Sequence, residues 1–575
     1  MKKVYLREKI IKTISKSLKQ IEFLRNEEIE KFIEEPPRED YGDFACSIAF
    51  NLAKKLKKSP FDIANDIVEK IEKEKIIEKV EAKNGYVNFF LNYEFIAKEL
   101  IKEIRKNKEN YGRTKVGKGK KIMVEFSQPN PVHPMHIGHA RTTLIGDSLS
   151  NILEFNGYKV IRANYMNDVG LQVAKLVTAY KLWGNNKKPE GKSDLWLWRF
   201  YVKFHEEAKN NKDLEDQARE MLRKFELLKD KNVSKLWRKI VNWCIDGFKE
   251  TYKKIDVDFD IYFYESDYRD LGKKLVFEAL KKNIAFKSDQ GTIVANLEKV
   301  GLPNFVLLRS DGTGLYQTSD LGLTVYKFKK YKLNKSIWVV SAQQNLYFKQ
   351  LFKTLELLGF KWSKDCYHLS FEHVILPEGK MSSREGRAIM LDDVIDKLTE
   401  LALKEVEKRN SNLTKKEKIK ISNEIANGAL KYWVLKIDTN NIITFDWKQM
   451  LSFDGNTGPY IQYACTRCKS ILKKSRFKNK RFKIKEISNI EKKMIRKIID
   501  FPEIVKKSCK DMKPNYICNY VYELSSNFTE FYHSCPVIKT EDEDLKYFRL
   551  NLVLATKIVI ENCLNLLGIK TPKIM

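Results

Sequence analysis

The sequence predicts an α/β fold: a Rossmann-like, mostly parallel sheet with an insertion, an α+β N-terminal domain and an all-helical C-terminal domain. Two observations predict it. Short buried strand patterns alternate with helical stretches through the middle of the chain, which is typical of an open parallel sheet. After about residue 391 the strand patterns fade and helical periodicity continues. A chain of 575 residues has room for about three or four such domains.

The first domain is expected over residues 1–110. Apolar residues recur at helical spacing over 10–24 and 48–71. A strand is expected over 86–91, after a turn at Asn84-Gly85. The charged, glycine-containing stretch that follows reads as a linker into the second domain.

The second domain is expected over 111–390, as the parallel sheet. Its strand patterns lie at 121–126, 159–164, 336–341 and 368–376. The segment 181–300 interrupts this alternation with long amphipathic helices and strand-like pieces near 291–296, so we interpret it as an insertion. A helical connection over 391–440 and a helical domain over 441–575 complete the chain.

Charge and composition narrow the partners. The formal net charge of +31 favours a polyanion, and nucleic acid is the commonest one, although a lysine-rich proteome gives the same excess. No uncharged apolar run reaches the ~18 residues that a membrane span needs, and the N-terminus lacks the apolar core of a signal peptide. Nine scattered cysteines favour a reducing compartment. A cytoplasmic protein without a membrane partner is expected.

A histidine-rich turn is the strongest local signal. Residues 131–139 read Pro-Val-His-Pro-Met-His-Ile-Gly-His, after a strand and before a helical stretch. Glycine allows a close backbone approach, and a helix N-terminus attracts phosphate. His136 and His139 can donate hydrogen bonds to phosphoryl oxygens as charge builds on them. The alternative is a pair of histidines that cap the helix or bind a metal.

A lysine-containing loop is the second signal. Residues 378–386 read Glu-Gly-Lys-Met-Ser-Ser-Arg-Glu-Gly, just beyond a predicted strand. Lys380 and Arg384 can neutralise a departing pyrophosphate, and Ser382 and Ser383 can add hydroxyl donors. The alternative is an ordinary solvated basic loop.

Together the two signals resemble the nucleotide motifs of class I aminoacyl-tRNA synthetases. Both are then expected at the carboxyl edge of the sheet, where ligands bind in open α/β folds. The flanking segments resemble arginyl-tRNA synthetases over nearly the whole chain, and least over 181–260. These segments are 124–131, 164–172, 308–320, 341–344, 453–463 and 567–575. The loop departs from the class motif at Ser383, where a second lysine is usual, and His133 stands where some relatives have lysine.

The resemblance implies a ligase that activates L-arginine with ATP to arginyl-adenylate and pyrophosphate. It then transfers arginine to the 3′-terminal adenosine of tRNA(Arg), with Mg²⁺ entering on the ATP phosphates. The residues implied in ATP binding are Pro134, His136, Gly138, His139, Lys380, Met381, Ser382 and Ser383. Those implied in stabilising the transition state are His136, His139, Lys380 and Arg384.

The resemblance also implies an arginine pocket. Its members are Glu125, Asn130, His139, Tyr316, Asp320 and Gln344. A guanidinium presents a planar fork of donors that a carboxylate matches, so Asp320 is expected to hold it. The alternative is that Asp320 caps the helix that follows it and Tyr316 packs in the core.

For tRNA, the resemblance implies two contact regions. Asn84, Tyr86 and Asn88 match positions that touch the D-arm. Tyr463, Arg467 and Met575 match the anticodon-binding domain, with Tyr463 and Arg467 on one helical face. No structural zinc is expected at Cys465 and Cys468, because no second ligand pair accompanies them. A monomer is expected. The competing functions are a synthetase for another amino acid, a catalytically silent tRNA-binding paralogue and a nonspecific nucleic-acid-binding protein.

Overall fold

The structure is a computed structural model that describes residues 4–72, 74–375, 389–409, 412–450, 452, 454–478, 480, 482–484 and 486–575. It divides into two compact units. The first comprises residues 1–114, 463–506 and 520–563, and the second comprises 115–462, 507–519 and 564–575. No helix of the described ranges is both long and apolar enough to cross a membrane.

The helices, in chain order, are α1 Leu6–Lys19, α2 Ile48–Leu56, α3 Pro60–Lys70, α4 Tyr93–Asn107, α5 Ile137–Phe155, α6 Leu171–Trp183, α7 Ser193–Glu207, α8 Asp213–Glu226, α9 Lys231–Lys254, α10 Glu265–Lys281, α11 Tyr316–Tyr331, α12 Asn345–Leu357, α13 Leu391–Arg409, α14 Lys415–Leu435, α15 Trp447–Met450, α16 Gly458–Lys474, α17 Asn489–Asp511, α18 Asn515–Ser534 and α19 Glu543–Leu566. The strands are β1 Ile33–Glu34, β2 Phe44–Cys46, β3 Ile77–Lys83, β4 Tyr86–Leu91, β5 Lys121–Glu125, β6 Lys159–Met166, β7 Ile261–Tyr264, β8 Ala285–Lys287, β9 Ile293–Ala295, β10 Phe305–Leu308, β11 Lys335–Ser341, β12 Cys366–Phe371, β13 Val374–Ile375 and β14 Ile443–Thr444.

In the first unit, an antiparallel sheet of order β1-β2-β4-β3 packs with helices from both ends of the chain. The predicted strand over 86–91 is confirmed as β4. The predicted helix over 48–71 is two helices, because Ser59 caps a new start: its hydroxyl accepts from the Asp62 amide at 3.1 Å, and Pro60 follows at the first helical position. On α17, Arg496 forms an ion pair with Asp43.

In the second unit, the predicted parallel sheet is confirmed. Its order is β12-β11-β5-β6-β7, and every neighbouring pair runs parallel, with β5 at the centre. The fourth predicted strand, 368–376, corresponds to β12 and to the separate short strand β13, which pairs with β14. Leu376 lies outside the described residues.

The fifth strand of this sheet was not predicted from the sequence. β7 lies within the segment interpreted as an insertion, yet it pairs with β6, Ala163 opposite Ile261. Its four residues Ile-Tyr-Phe-Tyr follow a charged stretch and are too few to show a clear period. The helices α7–α9 precede β7, and the antiparallel sheet β10-β9-β8 follows it.

Helices α10 and α11 cross at unusually close range beside the sheet. A Cβ added at Gly272 would lie 1.8 Å from the Thr318 carbonyl oxygen, and one at Gly322 would lie 2.5 Å from the Tyr268 carbonyl oxygen. Only glycine leaves room for such a crossing. It brings the start of α10 next to the first turns of α11, and both carry side chains of the site described next.

Candidate active site

The turn between β5 and α5 is held by two histidines that cap the helix. His136 occupies the N-cap, and its Nδ1 accepts from the Gly138 amide at 3.1 Å. The His139 Nδ1 accepts from the His136 amide at 3.1 Å, and the two rings are 3.9 Å apart between centroids. The capping alternative is therefore present in the structure. It is compatible with a chemical role, because it uses only one nitrogen of each ring.

The protonation of this histidine turn follows from the same contacts. Burial lowers the pKa of His136 to about 4, and it lowers the pKa of His139 well below its usual value, with the neighbouring histidines adding to both shifts. Both rings are thus neutral near pH 7. Since each Nδ1 accepts a backbone proton, each neutral ring carries its own proton on Nε2. The two rings are hydrogen-bond donors through Nε2.

Two backbone hydrogen bonds join residues 389–391 to this turn. The Ile137 amide donates to the Ile389 carbonyl at 3.0 Å, and the Leu391 amide donates to the Met135 carbonyl at 2.9 Å. Lys380, Met381, Ser382, Ser383 and Arg384 themselves lie outside the described residues. Residues 389–391, which follow the lysine-containing segment in the sequence, are therefore hydrogen-bonded directly to the histidine turn.

A carboxylate pocket is formed around Asp320 on α11. Asp320 lies in the second turn of that helix, which begins at Tyr316, so the alternative that it caps the helix is wrong. Its Oδ2 accepts from the Tyr347 hydroxyl, and Tyr316 is 44% exposed with its ring 5.0 Å from that of Tyr347. Burial is the main cause that raises the pKa of Asp320 to about 7; the negative charge of Glu125 contributes to this shift, and the Tyr347 hydrogen bond and the Lys327 charge oppose it.

Glu125 at the end of β5 has its charge neutralised inside the protein. It forms a buried ion pair with Lys327, and its Oε1 accepts from Gln128 Nε2 at 2.9 Å. The Lys327 ammonium also lies 5.0 Å from the Trp338 ring centroid. Glu125 therefore has an internal cation as its partner, and its place in the arginine pocket stays a prediction. Lys327 lies 202 residues away, and nothing in the sequence indicates the pairing.

A second set of paired charges lies on α8 and α10. The Arg269 Nη1 is 2.5 Å from Glu226 Oε2, and its Nη2 donates to Glu265 Oε1 at 2.8 Å. These three residues line a cavity of about 690 Å³ together with Asn130 and Tyr316. These three residues and Tyr347 were not predicted from the sequence, because their contacts depend on this packing. Gln344 ends the short turn before α12 and is half-buried.

The residues expected to touch the D-arm differ in exposure. Asn84 is exposed in the turn before β4, with φ of 54°, and Tyr86 is half-buried with its ring 5.0 Å from that of Phe50. Asn88 is only 3% exposed and lies between Ala45 and Glu81 in the sheet register. Asn84 and Tyr86 are therefore the two of the three that present surface.

The anticodon candidates are placed in two settings. Arg467 donates to the Tyr463 hydroxyl, and its guanidinium lies 4.8 Å from the ring centroids of Tyr463 and Tyr532, so the predicted shared helical face is confirmed. Met575 packs against a small apolar cluster of α13 and α14. Cys465 and Cys468 are both buried, and no group of three or more potential metal ligands occurs among the residues that the structure describes.

Comparisons with known proteins place this geometry in a family. Residues 100–447 match the tRNA synthetases class I (R) catalytic domain, 461–575 match the DALR anticodon binding domain, and 8–91 match the arginyl tRNA synthetase N terminal domain. The chain is 38% identical to an arginine–tRNA ligase of Treponema denticola over 94% of each chain. It is 38% identical to that of Halothermothrix orenii over 99% of each. The Thermus thermophilus arginyl-tRNA synthetase structure superposes with a TM-score of 0.81 at 25% identity, covering 98% of this chain and all of that one.

Proposed function

The chain belongs to the arginyl-tRNA synthetases, and we propose that Asp320 is the carboxylate by which it selects arginine. The enzyme activates L-arginine with ATP, forming arginyl-adenylate and pyrophosphate, and transfers the arginine to tRNA(Arg). This fixes the reaction and leaves the roles of individual residues to be assigned. Asp320 and the histidine turn are central to that assignment.

One observation carries the assignment of Asp320. Among the described residues, Glu125, Glu226 and Glu265 each have an internal cation, whereas Asp320 forms no ion pair. A substrate guanidinium supplies the missing charge, and its fork of donors can bridge both carboxylate oxygens. A neutral analogue would leave this buried carboxylate unpaired, which costs about 10⁴-fold or more in comparable sites. Tyr316, Asn130 and Gln344 are proposed to complete the pocket.

The histidine turn is proposed to act on ATP. The Nε2–H groups of His136 and His139 donate to phosphate oxygens as negative charge grows during attack of the arginine carboxylate on the α-phosphorus. Pro134 and Gly138 let the triphosphate approach the start of α5. From the sequence resemblance, Lys380 and Arg384 are proposed to neutralise the pyrophosphate, with Met381, Ser382 and Ser383 lining the same loop. No covalent intermediate with the protein is needed.

The remaining assignments extend this proposal. Mg²⁺ is proposed to enter with ATP, bound mainly through phosphate oxygens and water, as it usually is. Asn84 and Tyr86, with the buried Asn88 behind them, are proposed to serve the D-arm, and Tyr463, Arg467 and Met575 the anticodon. The predicted domain boundaries, the absence of a structural zinc and a monomeric state are kept as proposals. Nine buried thiols support a cytoplasmic location.

The test uses arginylation of unfractionated tRNA and arginine-dependent pyrophosphate exchange in the presence of tRNA. His139→Ala should lower both rates by about 10²–10³-fold, because one preorganised donor is lost, while tRNA binding persists. His533→Ala, a change at an exposed histidine of α18, is the matched control and should match the wild type. Asp320→Asn should lower kcat/KM for arginine and leave KM for ATP in place. Unchanged rates in His139→Ala and Asp320→Asn would remove both residues from the site.

A further inference from the structure

The buried Arg269 side chain sits in a place that suits a substrate guanidinium. Its Nη1 lies 2.5 Å from Glu226 Oε2, and its Nη2 lies 2.8 Å from Glu265 Oε1. Arg269 is 8% exposed, Glu226 is 7% exposed and Glu265 is 2% exposed. A planar guanidinium held between carboxylates is the arrangement that recognition of arginine requires. We call these three residues the Arg269 notch.

The two carboxylates of the notch are held in place by other donors as well. The Gly314 amide donates to Glu226 Oε1 at 2.9 Å. Asn167 Nδ2 donates to Glu265 Oε2 at 3.3 Å, and the Ser319 hydroxyl lies 3.4 Å from Glu265 Oε1. The acidic half of the notch therefore has its own scaffold, which does not depend on Arg269.

The notch adjoins the carboxylate pocket. Glu226, Glu265 and Arg269 line the same cavity as Asn130 and Tyr316. Ser319, which contacts Glu265, directly precedes Asp320, and the glycine crossing of α10 and α11 fixes this neighbourhood. Tyr316 lines this cavity and its ring lies 5.0 Å from that of Tyr347, which donates to Asp320. The notch and Asp320 are thus two neighbouring acidic positions at which a guanidinium could bind.

We propose that Arg269 is a positioning residue that fills the second guanidinium site of the arginine pocket, so that substrate arginine binds only at Asp320. This rests on the proposed role of Asp320. Without Arg269, the two negative charges of the notch compete with the single charge of Asp320. An arginine whose side chain enters the notch has its carboxylate displaced from the histidine turn, so the complex is nonproductive. An ion-pair cluster with only a packing role would show no such competition.

The experiment is arginine-dependent pyrophosphate exchange by Arg269→Ala, with tRNA present. Nonproductive binding lowers kcat and KM for arginine by the same factor, here about tenfold, and leaves kcat/KM unchanged. Millimolar guanidinium chloride should raise kcat of the variant by filling the notch, and it should inhibit the wild type by competing at Asp320. A fall in kcat with unchanged or raised KM, and no activation by guanidinium over an equal concentration of potassium chloride, would overturn the proposal.

Two further variants separate charge from packing. Glu226→Gln/Glu265→Gln/Arg269→Met removes both signs of charge together, so its kcat should recover toward the wild type without activation by guanidinium. Arg309→Ala, at a residue that lines the same cavity and whose side chain donates to the Thr313 hydroxyl and the Gly314 carbonyl, should show no activation either.

If Arg269→Ala does not fold, Arg269→Lys keeps a cation and should show the same effect more weakly, because an ammonium serves two carboxylates poorly. If a folded Arg269→Lys protein shows neither the lowered kcat and KM nor activation by guanidinium, the proposed role of Arg269 is rejected. Two other results would contradict the proposed function and not the role of Arg269. One is a wild-type protein without arginine-dependent exchange, and the other is an Asp320→Asn protein with unchanged kinetics.

Discussion

The histidine turn and the carboxylate pocket, which are proposed to serve the same reaction, are built in different ways. The turn takes its side chains from seven consecutive residues, 133–139, and the two histidine hydrogen bonds span two or three positions, although two backbone bonds also join the turn to residues 389 and 391. The pocket draws side chains from β5, α8, α10, α11 and α12, and its charges pair across as many as 202 positions. The geometry of the turn therefore depends mainly on residues that are close in sequence, whereas that of the pocket depends on how five elements of the second unit pack.

Burial also shifts the pKa values of the histidine turn and of the carboxylate pocket in opposite directions. It lowers the pKa of His136 to about 4 and raises that of Asp320 to about 7, since in both cases the neutral form is favoured. Near neutral pH only the pocket therefore changes its charge. Two kinds of experiment distinguish the regions: substitutions that break distant pairing, and changes of pH.

The largest expected effect is in the pairing of Glu125 with Lys327. Lys327→Met leaves a buried carboxylate without its cation, so the free energy of unfolding should fall by about 3–5 kcal/mol. Denaturant titration measures it. The double variant Glu125→Gln/Lys327→Met removes both charges and should recover most of the loss, which distinguishes the ion pair from the contact between the Lys327 ammonium and the Trp338 ring. A double variant as unstable as Lys327→Met would contradict the pairing as the cause.

Substitution of closely packed glycines should have the next largest effect on stability, and it tests both regions with the same kind of change. Gly322→Ala forces α10 and α11 apart beside the pocket, and Gly146→Ala places a Cβ 2.1 Å from the Phe126 ring, against the helix that carries the histidines. Each should cost about 1–3 kcal/mol of stability through overpacking. Steady-state kinetics should differ: Gly322→Ala mainly raises KM for arginine, and Gly146→Ala mainly lowers kcat. The same kinetic change in both would show that the two regions are not separable.

The same contrast explains what could be predicted from sequence. Strand patterns at 121–126, 159–164 and 336–341 predicted three strands of the parallel sheet, and a contiguous motif predicted the histidine turn. β7 was missed because four residues show no reliable period. Arg269, Lys327 and Tyr347 were missed because each lies within a helical pattern, where the neighbouring sequence does not show which distant residue the side chain contacts. The place of Glu125 in the arginine pocket stays a prediction from the resemblance, and its pairing with Lys327 was missed because the sequence does not show which cation lies against a carboxylate.

The smallest expected effect is in the pH dependence of arginine binding. With a pKa of about 7, Asp320 must lose a proton to hold a guanidinium at pH 6, so the dissociation constant for arginine should rise about tenfold from pH 8 to pH 6. The folded carboxyl binds its proton more tightly than the unfolded one, whose pKa is near 3.8, so the free protein should become more stable over the same fall in pH.

As the pH falls from 8 to 6, the affinity for arginine measured by calorimetry should therefore fall, while the melting temperature of the free protein should rise. Asp320→Asn should bind arginine more weakly at both pH values and lose the dependence between them. His136 and His139 remain neutral throughout this window, so the histidine turn contributes nothing to the slope. A slope that persists in Asp320→Asn would assign the titration to another group and remove the distinction between a titrating pocket and a neutral turn.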